Sequence, residues 1–393
     1  MAKRTYILPR GRSWCVCRDR GFSLVELMVG MVIGLVTLLI MVQSVTFFES
    51  QKRTTTGSAD AEENGSMALN LMETDVRQGG FGLVSSNGLA CAGYTNGNVA
   101  NAPILPVQIF SPGGTANDKV LVTYSNSAAG GIPAGLVEPA PAPPGVVLKV
   151  QAPASTAFAV GDILMLSLPN GMTPCTMVQL TAIAQFPDSV QFSLGPFPAG
   201  TALAYPAGAT YDISPQSSVI DMGSAPANNQ YQIMCASLVL SNPITAAAAP
   251  ACSTNPAAFI NANAIGDNIV VLRAQYGIAP AGSQSVNCWV NATAAGNPCD
   301  ASNWAAPSIA NIARIKAIRL AIVSRSYQPD RSHTEPNCTN ASGGLNNGPC
   351  LWTDTAANPA PLIDLSATAG WQQYRYKVYS TIIPLRNVIW ANL

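Results

Sequence analysis

The sequence predicts an α+β fold in which one long N-terminal helix precedes a large β-rich domain. Residues 22–48 form an apolar run with a single charge, Glu26, and a helical pattern continues to about residue 80. Beyond that point, short apolar segments alternate with loops rich in Ala, Pro, Gly and Asn. The chain has 32 glycines, 30 prolines and only 10% charged residues, which favours strands and long turns over exposed helices.

The apolar run is long enough to cross a bilayer. Its 27 residues would extend roughly 40 Å as a helix, compared with ~30 Å for the hydrocarbon core. A plain single-pass anchor explains this length but not Glu26, because a carboxylate at the membrane centre costs about 2.5–3.5 kcal/mol. A secretory signal peptide fits less well, because its apolar core is only about 7–15 residues long and ends at a small-residue cleavage site. No such site follows this run.

The charge distribution predicts the orientation of this helix. Residues 1–21 contain six basic residues and one acidic residue, a net charge of +5, so the rest of the neutral chain has a net charge of −5. By the positive-inside rule, residues 1–21 lie in the cytoplasm and the residues after Phe48 lie across the inner membrane. An acidic product disfavours non-specific nucleic-acid binding, so no nucleic-acid partner is expected.

The start of the run resembles the type IV prepilin signature, in the residues Gly21-Phe22-Ser23-Leu24-Val25-Glu26. The resemblance implies that prepilin peptidase cleaves between Gly21 and Phe22 and methylates the new amine of Phe22. It also implies that the cleaved helix stays in the inner membrane. Glu26 would then meet the N-terminal amine of a neighbouring subunit, an ion pair that is far stronger in a low dielectric than in water.

A second helical segment is predicted over residues 49–80. One stripe recurs at three- and four-residue spacing and consists of Ala61, Gly65, Ala68, Met72 and Val76. This pattern predicts an amphipathic helix packed against a globular domain, and it is too short to favour a free coiled-coil stalk. Gly79 and Gly80 predict the end of the helix.

Four segments are similar to segments of the PilW family of minor pilins. They are the turn at 75–82 and the segments at 267–277, 315–326 and 374–387. The resemblance implies a structural subunit that takes part in priming and assembly of the type IV pilus, with other minor pilins and major pilin as partners. The middle of the chain shows hardly any resemblance.

Strands are predicted over 119–124, 145–150, 162–168, 176–184, 189–194, 209–214 and 230–241. The three C-terminal family segments are also predicted as strands. For residues 315–326, isoleucines at helical spacing allow a helix, but their β-branched content favours a strand after a short helix near 307–314. Four long loops are interpreted as surface loops held by disulfides rather than as binding surfaces or disordered segments. They are residues 125–144, 195–208, 242–264 and 279–303.

Eight cysteines follow the leader, and an even number in an oxidising periplasm predicts up to four disulfides among 105 arrangements. Cys288–Cys299 and Cys338–Cys350 are expected because each closes a short loop. Cys91–Cys175 and Cys235–Cys252 are the further candidates. Zinc is the competing interpretation, but this part of the sequence has no Cys-x-x-Cys pair and the chain has one histidine, His333.

No enzyme and no cofactor are predicted. His333 lies in a polar loop, and the sequence lacks a phosphate-binding Gly-x-x-x-x-Gly-Lys-(Ser/Thr) segment and a zinc-binding His-Glu-x-x-His segment. A calcium site built from distant loops is left open.

Basic and aromatic residues near the C-terminus are interpreted as structural. Arg319 and Arg325, which belong to a basic cluster with Arg314 and Lys316, are expected to pair with acidic neighbours rather than to contact DNA. The tryptophans expected to be core or loop anchors are Trp289, Trp304, Trp352, Trp371 and Trp390.

These inferences predict a cleaved leader at 1–21, a transmembrane helix at 22–48, an amphipathic extension at 49–80 and a periplasmic, disulfide-bonded β-rich domain at 81–393. The fold class is therefore α+β and type IV pilin-like. The protein would cross the inner membrane once and lie at the tip or base of the pilus after assembly. Two alternatives share these features, a pseudopilin of a type II secretion system and a membrane-anchored periplasmic binding or adhesion protein.

Overall fold

The structure is a computed structural model. It describes residues 21, 23–85, 88–91, 93–98, 100, 102–127, 132–141, 147–151, 158–169, 174–214, 216–244, 249–252, 259–330 and 333–390. Phe22 and residues 1–20 of the predicted leader lie outside the described residues. The chain divides into two compact units, Met1–Thr55 and Thr56–Leu393.

Helix α1 comprises Leu24–Gln78, and its first part forms the described structure of the first unit. The segment Leu24–Glu49 is long and apolar enough to cross a membrane, and its residues are exposed. Thr37 Oγ1 donates to the carbonyls of Ile33 and Gly34 at 3.0 and 2.9 Å, so its hydroxyl is satisfied within the helix. An exposed apolar surface with internally bonded polar groups is suited to lipid.

The second unit contains the end of α1, two further helices, a 3₁₀ turn at Trp371–Gln373 and the strands. The strands are β1 (Val84–Ser85), β2 (Gly88–Leu89), β3 (Gly93–Thr95), β4 (Ala102–Pro103), β5 (Val107–Phe110), β6 (Lys119–Tyr124), β7 (Ala134–Gly135), β8 (Val147–Gln151), β9 (Ile163–Ser167), β10 (Cys175–Gln185), β11 (Ser189–Pro196), β12 (Ser218–Asp221), β13 (Ala227–Met234), β14 (Ser237–Ser241), β15 (Ala251–Cys252), β16 (Phe259–Ile260), β17 (Asn263–Asp267), β18 (Ile269–Ile278), β19 (Cys288–Val290), β20 (Ile315–Arg325), β21 (Cys338–Thr339), β22 (Leu345–Asn346) and β23 (Tyr376–Pro384). The helices are α2 (Ile309–Ile312) and α3 (Arg386–Trp390).

The helix stripe packs on two antiparallel sheets. Ala68, Met72 and Val76 are fully buried in one core cluster with side chains of a five-stranded sheet, ordered β17-β14-β13-β6-β5, and of a four-stranded sheet, ordered β19-β18-β20-β23. The sequence expectation of an amphipathic helix end is therefore confirmed. The helix ends at Gln78, and Gly80 follows with a φ of 82° that suits glycine.

A third sheet closes into a small barrel. Six of its eight strands pair in the order β8-β11-β10-β9-β12-β7, and a bridge between Leu136 and Val150 joins the last of these to the first. The other two, β3 and β4, extend the sheet beside β10. The hydrogen bond from Val137 N to Lys149 O, 3.0 Å long, continues this closure. The interior holds its own core, which includes Leu148, Phe192 and Tyr211. Closure removes the exposed edges that an open sheet would present.

Most predicted strands are confirmed, but two are wrong. The segment 209–214 contains an isolated bridge between Ile213 and Gln216, because Asp212 and Ser217 close a tight loop through backbone and side-chain hydrogen bonds. The segment 230–241 is a hairpin of two strands, because Cys235 and Ala236 adopt positive φ values of 51° and 57° in a two-residue turn.

Three predicted loops contain short strands. The segment 125–144 contains β7, the segment 242–264 contains β15, β16 and the start of β17, and the segment 279–303 contains β19. Strands of two or three residues are too short to produce a periodic pattern in the sequence. The predicted short helix and strand near the C-terminus are confirmed as α2 and β20.

Candidate functional site

Glu26 lies in the first turn of α1, where the hydrogen bond from Leu27 N to Ser23 O begins the helix. The described residues provide no ion-pair partner for its carboxylate. Gly21 has open space where a side chain would start, and Phe22 lies outside the described residues. The predicted processing and assembly residues are thus close in sequence, at the exposed end of the apolar segment.

Asp75 attaches the last turn of α1 to the five-stranded sheet. Its buried carboxylate accepts hydrogen bonds from Tyr124 Oη at 3.0 Å, from Asn229 Nδ2 at 2.6 Å and from the hydroxyl of Tyr231. A negative charge near a helix C-terminus interacts unfavourably with the helix dipole. The three hydrogen bonds, rather than the helix, therefore stabilise the Asp75 carboxylate. Burial and the nearby Asp75 raise the pKa of Tyr124 to about 12. The same two causes raise the pKa of Tyr231, so both tyrosines stay protonated donors at neutral pH.

Strand β23 and the segment after it also contact helix α1. A Cβ at Gly65 would lie 2.3 Å from Cε2 of Tyr379, so glycine permits this close approach. Glu62 forms an ion pair with Lys377, and Asn387 Nδ2 donates to the carbonyl of Gly79 at 3.1 Å. The C-terminal segment therefore holds the helix along several turns.

A buried ion pair lies in the segment at 267–277. Arg273 Nη1 donates to Asp118 Oδ1 at 3.0 Å, and Ala274 N donates to Asp118 Oδ2 at 2.9 Å. Both charged side chains are 2% exposed. Burial raises the pKa of Asp118, and the adjacent Arg273 opposes that rise. Tyr276 Oη accepts a hydrogen bond from Ile109 N at 2.6 Å, so this strand is joined to the five-stranded sheet by polar as well as apolar contacts.

The structure contains four disulfides, Cys91–Cys175, Cys235–Cys252, Cys288–Cys299 and Cys338–Cys350. They coincide with the four pairs expected from the sequence. Cys91–Cys175 links the segment between β2 and β3 to β10, and Cys235–Cys252 links the β13–β14 turn to β15. Cys288–Cys299 joins β19, an edge strand of the four-stranded sheet, to the loop that follows it, and Cys338–Cys350 joins β21 to the loop after β22. Among the described residues there is no group of three or more His, Cys, Asp or Glu side chains placed to hold a metal ion.

The basic cluster divides into separate environments. Arg314 forms an ion pair with Asp300 at 2.6 Å and lies over the ring of the buried Trp304. The expectation that Arg319 and Arg325 pair with acidic neighbours is wrong within the described part of the chain, because each stacks on aromatic rings instead.

The tryptophan expectation holds for Trp304, which is fully buried. Trp289 and Trp352 stack on Arg319, and the side chain of Trp390 lies outside the described residues. His333 Nε2 is 3.0 Å from Glu335 Oε2. No described arrangement around His333 supplies a nucleophile.

Two protein-family models match the chain. The family described as Type IV Pilus-assembly protein W matches residues 225–387, and the Prokaryotic N-terminal methylation motif matches residues 17–42. No curated protein and no solved structure shows a significant match.

The matched ranges correspond to the parts of the chain that carry the features above. The methylation motif spans Gly21 and Glu26 at the start of the apolar helix. The pilus-assembly match includes β13, the four-stranded sheet and β23, whereas the barrel strands β7–β12 lie outside it. The motif implies processing by prepilin peptidase and association with pilins, and the pilus-assembly family is structural. The chain is therefore a PilW-like minor pilin of the type IV pilus.

Proposed function

We propose that the protein is stored in the inner membrane as a mature minor pilin and primes pilus assembly by joining other minor pilins, beneath which major pilin is added. The observation that carries this proposal is the combination of a prepilin-type apolar helix with a pilus-assembly domain in one chain. The helix continues into the sheet domain through Asp75 and the contacts of β23.

Processing would expose the group that assembly needs. Cleavage between Gly21 and Phe22 removes the basic leader, leaves the apolar helix in the membrane and creates a new amine on Phe22. Methylation by the same peptidase would complete the mature N-terminus. The domain after residue 48 would then lie in the periplasm, where its disulfides can persist.

Glu26 would provide the assembly contact. The helix dipole stabilises a carboxylate in the first turn by roughly 0.3–1 kcal/mol, which is less than the about 2.5–3.5 kcal/mol cost of burying it in lipid. An amine supplied by Phe22 of a neighbouring subunit would compensate the difference. The partner proposed for Glu26 is therefore the amine of another subunit.

The protein itself would not be an enzyme. The family is structural, and His333 with Glu335 forms no catalytic arrangement in the described residues. Other proteins would supply the ATP hydrolysis that drives filament growth.

A deletion strain tests this function. We expect loss of surface pili by electron microscopy, and recovery when the wild-type gene is returned. Normal pili with lost protein secretion would instead indicate a type II secretion pseudopilin. Normal pili with lost attachment would indicate an adhesion protein. Either result would contradict the proposed role in assembly.

A further inference from the structure

Arg319 lies on the face of the four-stranded sheet that points away from helix α1. Its neighbours in the chain, Ile318 and Leu320, are fully buried in the core cluster that contains the helix stripe. Because side chains alternate along a strand, Arg319 points to the opposite face. Its cross-strand partners are Gln275 on β18 and Ile382 on β23. A molecule bound here would not compete with the contacts between the helix and the sheet.

Two indole rings hold the guanidinium of Arg319. Its Cζ atom is 4.3 Å from the ring centroid of Trp289 and 5.0 Å from that of Trp352. Disulfides anchor both rings nearby, because Cys288 precedes Trp289 and Cys350 lies two residues before Trp352. These cation–π contacts use none of the N–H hydrogen bonds of the guanidinium, and its planar fork can donate two of them to one carboxylate.

The donors of this cluster lack acceptors among the residues that the structure describes. Arg273 donates hydrogen bonds to Asp118 and to the carbonyl of Leu362, and Arg314 forms an ion pair with Asp300. The guanidinium of Arg319 donates to no carboxylate or carbonyl of the described residues. Burial lowers the pKa of Arg319, and no neighbouring carboxylate offsets this effect. The Nε1 atom of Trp352 is a buried donor without an acceptor in the described structure, whereas Arg319 is half-buried. Buried donors are normally paired, so this cluster has unused capacity to bind an acceptor.

We propose that Trp289, Arg319 and Trp352 form a binding site for the carboxylate of an acidic residue in a peptide segment of a partner protein. The stacked arginine supplies the complementary charge. Ile382, which is 50% exposed on the adjacent strand, supplies apolar contact beside it. Tryptophan and arginine dominate the energetics of protein interfaces, and a single cation on an acidic chain does not suit a nucleic acid. This site is separate from the helix contact proposed for assembly.

The test uses the full chain in detergent micelles and a fluorescein-labelled peptide, Gly-Ile-Glu-Ile-Gly, with amidated C-terminus. Fluorescence anisotropy measures its binding, and the same peptide with Gln in place of Glu is the matched ligand control. We expect saturable binding of the Glu peptide and at least about tenfold weaker binding of the Gln peptide, because hydrogen bonds to charged groups are the stronger class.

Protein variants locate the site. Arg319→Gln should weaken binding of the Glu peptide at least about tenfold, and Arg319→Lys should weaken it less while keeping the charge. Arg386→Gln, at an exposed arginine on α3, should bind as the wild type does. Circular dichroism verifies that each variant is folded. If Arg319→Gln fails to fold, Trp352→Leu in the same assay serves as the second variant and should also weaken binding at least about tenfold.

Three results would overturn the proposal. They are equal binding of the Glu and Gln peptides, unchanged binding by a folded Arg319→Gln protein, and equal losses in Arg319→Gln and Arg386→Gln. Sodium acetate distinguishes a peptide from a free carboxylate. Competition only at concentrations at least tenfold above the peptide supports a peptide site, and competition at the same concentration contradicts it. None of these measurements requires pili, so their failure would leave the proposed role in assembly unaffected.

Discussion

Replacing Asp75 by alanine removes the acceptor that three donors share at the end of helix α1. The hydroxyl of Tyr231 is fully buried, whereas Tyr124 and Asn229 are half-buried and can reach water. An unpaired buried donor costs about 1–3 kcal/mol, so Tyr231 alone should account for that much. With smaller contributions from the other two, we expect Asp75→Ala to lower the free energy of unfolding by about 2–4 kcal/mol.

A double-mutant cycle isolates the mechanism. Tyr231→Phe removes the buried donor, so adding it to Asp75→Ala should cost less than the two single changes summed, with a coupling of at least about 1 kcal/mol. Glu73→Ala is the matched control on the same helix turn. It loses the Arg77 pair, an exposed i, i+4 interaction of about 0.3–0.5 kcal/mol.

Urea unfolding of the full chain in micelles, followed by circular dichroism, gives these free energies. The disulfides are kept intact so that each variant starts from the same covalent state. An Asp75→Ala protein within 0.5 kcal/mol of the Glu73→Ala control would refute the reasoning. Strict additivity of Asp75→Ala and Tyr231→Phe would also refute it, because the two groups could not then depend on each other.

Three further predictions concern processing, covalent structure and pH. Gly21→Val should leave full-length precursor on a gel, because a branched side chain would stand at the bond that the peptidase cleaves, and normal processing would contradict the prepilin interpretation. Non-reducing peptide mapping should recover Cys91–Cys175, Cys235–Cys252, Cys288–Cys299 and Cys338–Cys350, whereas any other partner would overturn that pairing. Hydrogen bonds from Ser302 and Arg314 hold the pKa of Asp300 well below its ordinary value of 3.8, although desolvation acts in the opposite direction. The ionised Asp300 therefore stabilises the folded chain above about pH 3.8, and this stabilisation is lost as the pH falls below that. Asp300→Asn should therefore reduce the loss of stability below about pH 4 in acid unfolding curves, and an unchanged pH profile would contradict this assignment.

Local periodicity made much of the helix and sheet framework predictable. Ala68, Met72 and Val76 repeat at helical spacing because one face of α1 must be buried, and that constraint is visible in any helix of this length. The strand at β20 was predictable because it is rich in β-branched residues and because Ile318, Leu320 and Ile322 recur at every second position. Cys288–Cys299 and Cys338–Cys350 were expected because each disulfide closes a short loop, and the structure also contains both.

The barrel could not be predicted, because its closure depends on strands that are distant in the chain. The bridge between Leu136 and Val150 completes a ring whose other strands extend to residue 221. No local pattern distinguishes such strands from those of an open sheet. The hairpin at β13–β14 was missed for a different reason, since Cys235 and Ala236 are not the residues that usually signal a two-residue turn.

The polar contacts of the candidate site also escaped the sequence interpretation. Asp75 was recognised as part of a turn motif, but its donors Tyr124, Asn229 and Tyr231 lie on strands more than 45 residues away. Arg319 was expected to have an acidic partner, but its guanidinium contacts two indole rings instead. Buried polar partners are set by sheet register, which single-sequence patterns do not specify.

The role of Glu26 in assembly is tested most directly by co-purification from membranes. Wild-type protein, Glu26→Ala and Glu26→Gln are expressed with the other minor pilins, and recovery of the complex is measured alongside cleavage and disulfide formation. We expect both variants to be cleaved, inserted and folded normally but to lose the partners, because each removes the charge that compensates the amine of a neighbouring Phe22. Recovery of the complex at the wild-type level with both variants would show that Glu26 has no such role and would contradict this account of assembly.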